Sequence, residues 1–260
     1  MTNNDQGLRR GYEPLLKELM ALYPQLAQST PPWRDGYANV AFLAHGWYLR
    51  CHRTVETVLI LGDAGYADEA APLRRSIIEH VLALRWLAAE GDKILDTIAR
   101  AHASDTKNRA DAVAAAAWTS VDADELERII ADIDPDSLDR SGDRLLAFAH
   151  RLAEYGDPHT RPGYIAESAK SHPTYESAVS YVAIPGGDLL WHARAPIWPV
   201  PFCATHLLEA LICVREVFEP QPWESELDSI MKRYQTVTDE VRKEDGLPPV
   251  DWVTATVKVQ

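Results

Sequence analysis

Cysteine is scarce in this 260-residue chain, with three in all. Cys51, Cys203 and Cys213 are widely separated, each within an apolar helical pattern. That is too few and too scattered for a disulfide framework or a zinc site, so they read as buried free thiols of a reducing compartment. Basic charge is short as well: 26 Lys and Arg face 39 Asp and Glu, a net charge of −13. A protein that wraps nucleic acid or lies on an anionic membrane needs clustered cations for the phosphates. Here any such patch would work against the overall field. No uninterrupted apolar run reaches the length of a membrane span, and the opening MTNNDQGLRRGYE lacks the apolar core of a secretory signal. The expected compartment is the cytoplasm, with neither membrane nor nucleic acid as partner.

Several chemistries lack their residues. Glu-x-x-His, which a carboxylate-bridged di-iron site places on two helices, occurs nowhere. His-Glu-x-x-His, a phosphate-cradling Gly-rich loop and a Gly-x-Ser-x-Gly elbow are absent too. A mononuclear site from His52, Glu56 and His102 has nothing to recommend it over hydrogen-bonded packing. No cofactor and no metal are expected.

What the chain has is helical periodicity. Residues 67–90, ADEAAPLRRSIIEHVLALRWLAAE, carry Leu73, Ile77, Ile78, Val81, Leu82, Leu84, Trp86 and Leu87 on nearly every face. A helix apolar all round is a central one, enclosed by others. Pro72 is tolerable near its start, and Gly91 closes it. Residues 202–218, FCATHLLEALICVREVF, form a second such helix.

Around these two, helices are expected over about 8–26, 35–64 with Gly65 as its C-terminal cap, 92–118 including Trp118, a segment capped by Asp122 or Asp124, 137–155, and 224–244. Residues 156–174, headed by GDPHTRPG, read as turns holding at most a short helix. Residues 184–201, with four prolines, a glycine pair, Trp191 and Trp198, read as an irregular segment packed over something. The fold class is all-α: a single-domain bundle of about eight helices with two largely buried central helices. It divides into an N-terminal helix and hinge (1–33), core helices (34–155), the irregular segment (156–201), C-terminal helices (202–245) and a tail (246–260).

Polar residues on buried helices are the functional clue, because charge there is costly unless paired. Arg75 and Glu79 are four apart on the central helix, with His80 beside them. His45, His52 and Glu56 share a stripe of the preceding helix. His102 with Asp105, and His206 with Glu209, are three apart. If the helix of 35–64 packs antiparallel to the central one, His52, Glu56, Arg75, Glu79 and His80 form one cluster. A carboxylate and a histidine held together in apolar surroundings can do acid–base work. The competing reading is a packed ion pair and hydrogen-bonded core histidines. Trp191 and Trp198 are candidates for a pocket wall.

The run LRRSIIEH, flanked by long helices, resembles a bacterial family of helical proteins of unknown function. That family carries Arg and, four residues on, Glu on a central helix, with a later Tyr and Ser followed by His. Arg75 and Glu79 match the first motif; Tyr175 and Ser180 match part of the second, with Ala183 where the His is expected. The resemblance implies a fold more than an activity. A second resemblance is to HEPN ribonucleases of toxin and abortive-infection systems, which carry an Arg, four to six intervening residues and then a His. Arg75 with His80, Arg74 with His80 and Arg144 with His150 all fit that spacing, and Ser76 departs from the usual apolar residue after the Arg.

The expected function is a pocket for a small polar ligand, lined by Arg75, Trp191 and Trp198. Glu79, His80, His52 and Glu56 are the candidate acid–base groups if the protein is an enzyme. The alternatives are a HEPN-like ribonuclease and a non-catalytic sensor or interaction protein, and homo-oligomerisation stays open. Because the ligand spacings are missing, purified protein is expected to carry no stoichiometric transition metal. Elemental analysis finding about one zinc or iron per chain after mild chelation contradicts this.

Overall fold

The structure, a computed structural model, describes residues 3–27, 31–116, 137–179, 182–183, 190–191 and 199–250. Its centre is the helix the composition singles out, Ala71–Glu90 (α4), where Ile77, Ile78, Val81, Leu82, Leu84, Trp86, Leu87 and Ala88 are all buried. Before it come α1 (Asn3–Ala21), α2 (Tyr23–Ala27) and α3 (Ala41–Asp63). After it come α5 (Leu95–Ala116), α6 (Phe148–Tyr155), α7 (Thr160–Ser171), α8 (Tyr175–Val179), α9 (Val200–Val217) and α10 (Glu224–Glu244). Seven of these have at least 12 residues among the described residues, close to the eight expected. No helix among the described residues is long and apolar enough to cross a membrane.

α3, α6, α7 and α9 all pack on α4, and α9 packs on α3 as well. α1 closes the far side over α9 and α10 with Tyr12, Leu15, Leu16 and Leu19 buried. The two all-round apolar helices are thus the inner pair, as their composition requires. Tyr12 Oη and Thr238 Oγ1, 2.9 Å apart, fix α1 to α10.

The helix ends follow local chemistry. α3 stops where Gly65 takes φ +88° and its amide bonds the Gly62 carbonyl at 3.1 Å. α4 starts at Ala71, four residues later than its composition suggests: Pro72 has no amide to donate, and residues 67–70 form a turn with Ala70 N–H on Tyr66 O at 3.2 Å.

Two expectations are corrected. Residues 137–155 are not one helix, for Asp139 accepts from Ser141 N–H at 3.1 Å and holds a turn, a single 3₁₀ turn follows (Asp143–Leu146), and Ala147 is extended before α6. Residues 156–174 are not mainly turns, because α7 runs for 12 residues. Asp157 caps its start, accepting from His159 N–H at 2.7 Å and Thr160 N–H at 2.9 Å.

Among the described residues one two-residue antiparallel pair forms, Val182–Ala183 with Leu190–Trp191, beside the helices. The rest of the 184–198 segment, Trp118, the helix begun at Asp122 or Asp124 and the tail beyond 250 lie outside the described residues.

Gly91 joins α4 to the next turn at φ +59°, and a Cβ there would stand 2.5 Å from the Gly36 carbonyl oxygen, the oxygen that accepts Asp92 N–H at 2.7 Å. Gly91→Ala is therefore expected to cost about 1–3 kcal/mol. Urea unfolding in which the variant matches wild type contradicts the close approach.

Candidate functional site

Three arginines on α4 organise the polar side of the molecule. Arg74 is buried, donates to Ala67 O and pairs with Glu167 of α7 at 2.8 Å. One turn of α7 further on, Lys170 pairs with Asp68 at 3.2 Å. Arg85, eleven residues on and so on the same side of α4, meets Asp157 at 3.1 Å, Glu209 of α9 at 2.9 Å and Tyr155 O at 3.0 Å. Burial works against the Arg85 charge, and Glu209 and Asp157 outweigh it, so its pKa lies above the ordinary value. Asp157, which burial would raise, is brought net below the carboxylate range by Arg85 and its capping hydrogen bonds. A small cleft of about 170 Å³, open solvent included, runs beside Arg85, His206 and Glu209.

Arg75 is different, because water still reaches it. Its Nε donates to Glu79 Oε1 at 3.0 Å, its Nη1 to His172 Nε2 at 2.5 Å, and its guanidinium lies 5.1 Å from the Tyr164 ring centroid. Tyr164 Oη in turn donates to Glu79 Oε1 at 3.3 Å and its ring stacks on Phe148 at 3.9 Å. The side chains of Arg75 and Glu79 are 27% and 35% exposed. Since Arg75 donates, His172 accepts through a neutral ring, with its proton on Nδ1. The result is a cation fixed by a carboxylate, an imidazole and an aromatic face, at the junction of α4 and α7. Arg151 of α6 lies near it, 5.8 Å over the buried Trp86 ring.

Of the five residues expected to cluster, the structure brings together Arg75 and Glu79. His80 is the next residue but turns to its own helix, donating from Nδ1 to Ser76 O at 2.7 Å. His52 is buried against α1 and α2, stacked on Tyr23 at 3.9 Å and facing Met20 O at 3.4 Å, where burial lowers its pKa. Glu56 is exposed beside Arg53 at 3.4 Å. α3 and α4 do pack, but the His52 and Glu56 positions of α3 face elsewhere. His45 meets Phe218 edge-on, and His102 and Asp105 face solvent. Trp198 and the Trp191 side chain lie outside the described residues. The three cysteines are buried, and burial pushes the Cys203 and Cys213 thiols up to about 12, so they are inert.

Sequence reasoning missed Tyr164, His172 and Arg151. Tyr164, Ser168 and His172 follow one another along α7 and its exit. These are four apart on one face of α7 and its exit, and the first and last touch Glu79 and Arg75. Tyr175 is 84% exposed, and Ser180 lies outside the described residues. For the ribonuclease spacing, Arg74 is committed to Glu167, Arg144 to Glu154 at 2.6 Å, and Arg75 to Glu79.

Exposure sets the energetic order of these pairs. Glu167→Ala strands Arg74, whose side chain is 5% exposed, and is expected to cost about 3–5 kcal/mol. Glu79→Ala, at a site that water reaches, is expected to cost about 1 kcal/mol or less. Chemical denaturation that ranks Glu79→Ala the more damaging contradicts the division between buried strut and open site.

No curated protein and no solved structure matches the chain. A family match covers residues 41–188, from the start of α3 through α8 and Val182–Ala183, and so includes Arg75, Glu79, Arg151, Tyr164 and His172. It extends over more than half of the sequence and carries the expectation of an uncharacterised helical family. The chain belongs to DUF5677, a family of unknown function.

Proposed function

We propose that the chain binds a small polar ligand where Arg75, Glu79, Tyr164 and His172 meet, between the central helix and α7. The carrying observation is that Arg75 is held by three groups from two elements while more than a quarter of its side chain remains open to water. A guanidinium has five N–H donors, and two are taken. The others are offered in a fixed orientation, so a ligand that accepts them avoids the ordering cost a free arginine would impose.

Glu79 flanks that donor array as an acceptor, and the Nδ1–H of His172 adds a further donor beside it, which suits a ligand that both donates to the carboxylate and accepts from the cationic side. They are also the pair that would move a proton if the bound molecule is turned over. The site lies on the α7 side of α4, whereas the sequence points to the α3 side. The buried unpaired cysteines support a reducing compartment such as the cytoplasm.

A metabolite panel read by thermal melting and by the His172 and Tyr164 ring signals in NMR tests this. The expected result is a ligand that raises the melting temperature of wild type, shifts those signals, and loses its effect in Glu79→Gln, which unfixes Arg75. Consumption of the ligand identifies an enzyme, and its recovery unchanged a binder. A panel ligand that binds equally to wild type and Glu79→Gln contradicts the site, as does RNA cleavage dependent on Arg75 and His80.

A further inference from the structure

Charge around the site is unbalanced, and the imbalance has an address. The carboxylates of α6 and α7 are Glu154 and Glu167, and they pair with Arg144 and Arg74. Glu79 accepts from Arg75 and from the Tyr164 hydroxyl. Arg151, at the middle of α6, has no ion pair or hydrogen bond among the described residues, and its Nε is buried with no acceptor. Arg161, by contrast, is exposed and has water for a partner.

A guanidinium Nε–H buried without an acceptor is costly, since its desolvation goes uncompensated. Burial accordingly lowers the Arg151 pKa, and among the described residues Glu79 is the charge near enough to offset this in part. That carboxylate is shared by two cations and already bonded to one of them. The guanidinium carbon of Arg151 lies 5.8 Å from the centroid of the Trp86 ring, a cation–π contact that takes up none of its N–H donors.

We infer that the ligand of this site is a small oxyanion, a carboxylate or a phosphate, taken up by Arg151 beside Arg75. The inference rests on the site proposed above and adds the ligand's class and the residue that selects it. An oxyanion supplies the negative charge that this face lacks. Its paired oxygens also match the parallel N–H groups of a guanidinium, the geometry in which such hydrogen bonds are strongest. Arg75, already oriented by Glu79 and His172, gives the second cation. A neutral ligand would leave the Arg151 charge as unsatisfied as it is now.

The probes are inorganic phosphate and acetate, each titrated at ionic strength matched with chloride into wild type, Arg151→Gln and the exposed control Arg161→Gln. Readouts are the melting temperature and the arginine Nε–H signals in NMR. One of the two anions is expected to give a saturable shift, and which one does so distinguishes phosphate from carboxylate. Arg151→Gln is expected to weaken that binding about tenfold or more, the scale of one charge-assisted hydrogen bond, and Arg161→Gln to leave it unchanged.

Should Arg151→Gln fail to fold, Arg151→Lys keeps the charge without the planar fork and is expected to bind a few-fold more weakly. Equal binding by the Arg151 variant and wild type overturns the inference, and so does a non-saturable response to both anions. A neutral panel ligand that depends on Glu79 and not on Arg151 overturns the oxyanion while leaving the site in place. Absence of any bound ligand overturns both.

Discussion

A buried arginine has to be answered from outside its own helix, and that requirement shapes the polar half of this protein. α4 is apolar enough to sit at the centre, yet it carries Arg74 and Arg85 inside, each nearly closed to water. An unanswered guanidinium at either place would cost several kcal/mol. Glu167 answers the first, and Asp157 with Glu209 the second. Glu167 and Asp157 stand at the two ends of the segment that contains α7, so the two arginines fix where that segment lies. Neither α6 nor α7 has a single buried residue. Apolar fit places α1, α3, α9 and α10, whereas charge does most of the placing of α7.

This division explains what could be read from the sequence. α1, α3, α4, α9 and α10 announce themselves because each contributes an apolar stripe or a whole apolar surface to the core, and periodicity reports exactly that kind of burial. α7 contributes none, so its composition resembles a loop. The stretch GDPHTRPG combines turn residues with a helix start, and only the cap distinguishes them: Asp157 accepting two amides, then Pro162 within the first turn. Capping chemistry was the available signal, and weighing the prolines and glycines as turn formers concealed it.

The site was half legible for a related reason. Arg75 and Glu79 are four apart, and helical spacing alone makes them neighbours. Tyr164 and His172 reach them from 85 and 97 residues away, and no local pattern encodes such a contact. His52 and Glu56 show the converse failure. The same four-residue spacing puts them on one stripe, but the stripe lies at the edge of the buried surface. His52 falls inside, against Tyr23, and Glu56 outside, beside Arg53. Spacing says which residues share a face and not which helix that face meets.

Placed together, the three α4 arginines separate structure from function by their access to water. Arg74 and Arg85 are struts: buried, doubly engaged, and useless to a ligand without breaking the packing. Arg75 is more open to water than either, held in place by Glu79, His172 and the Tyr164 ring but facing out. The struts hold α7 against α4, and α7 carries the Tyr164 and His172 side chains that orient Arg75. Loosening a strut would therefore blur the open site without touching it. In that sense the stability of the polar half and the preorganisation of Arg75 depend on the same buried charges.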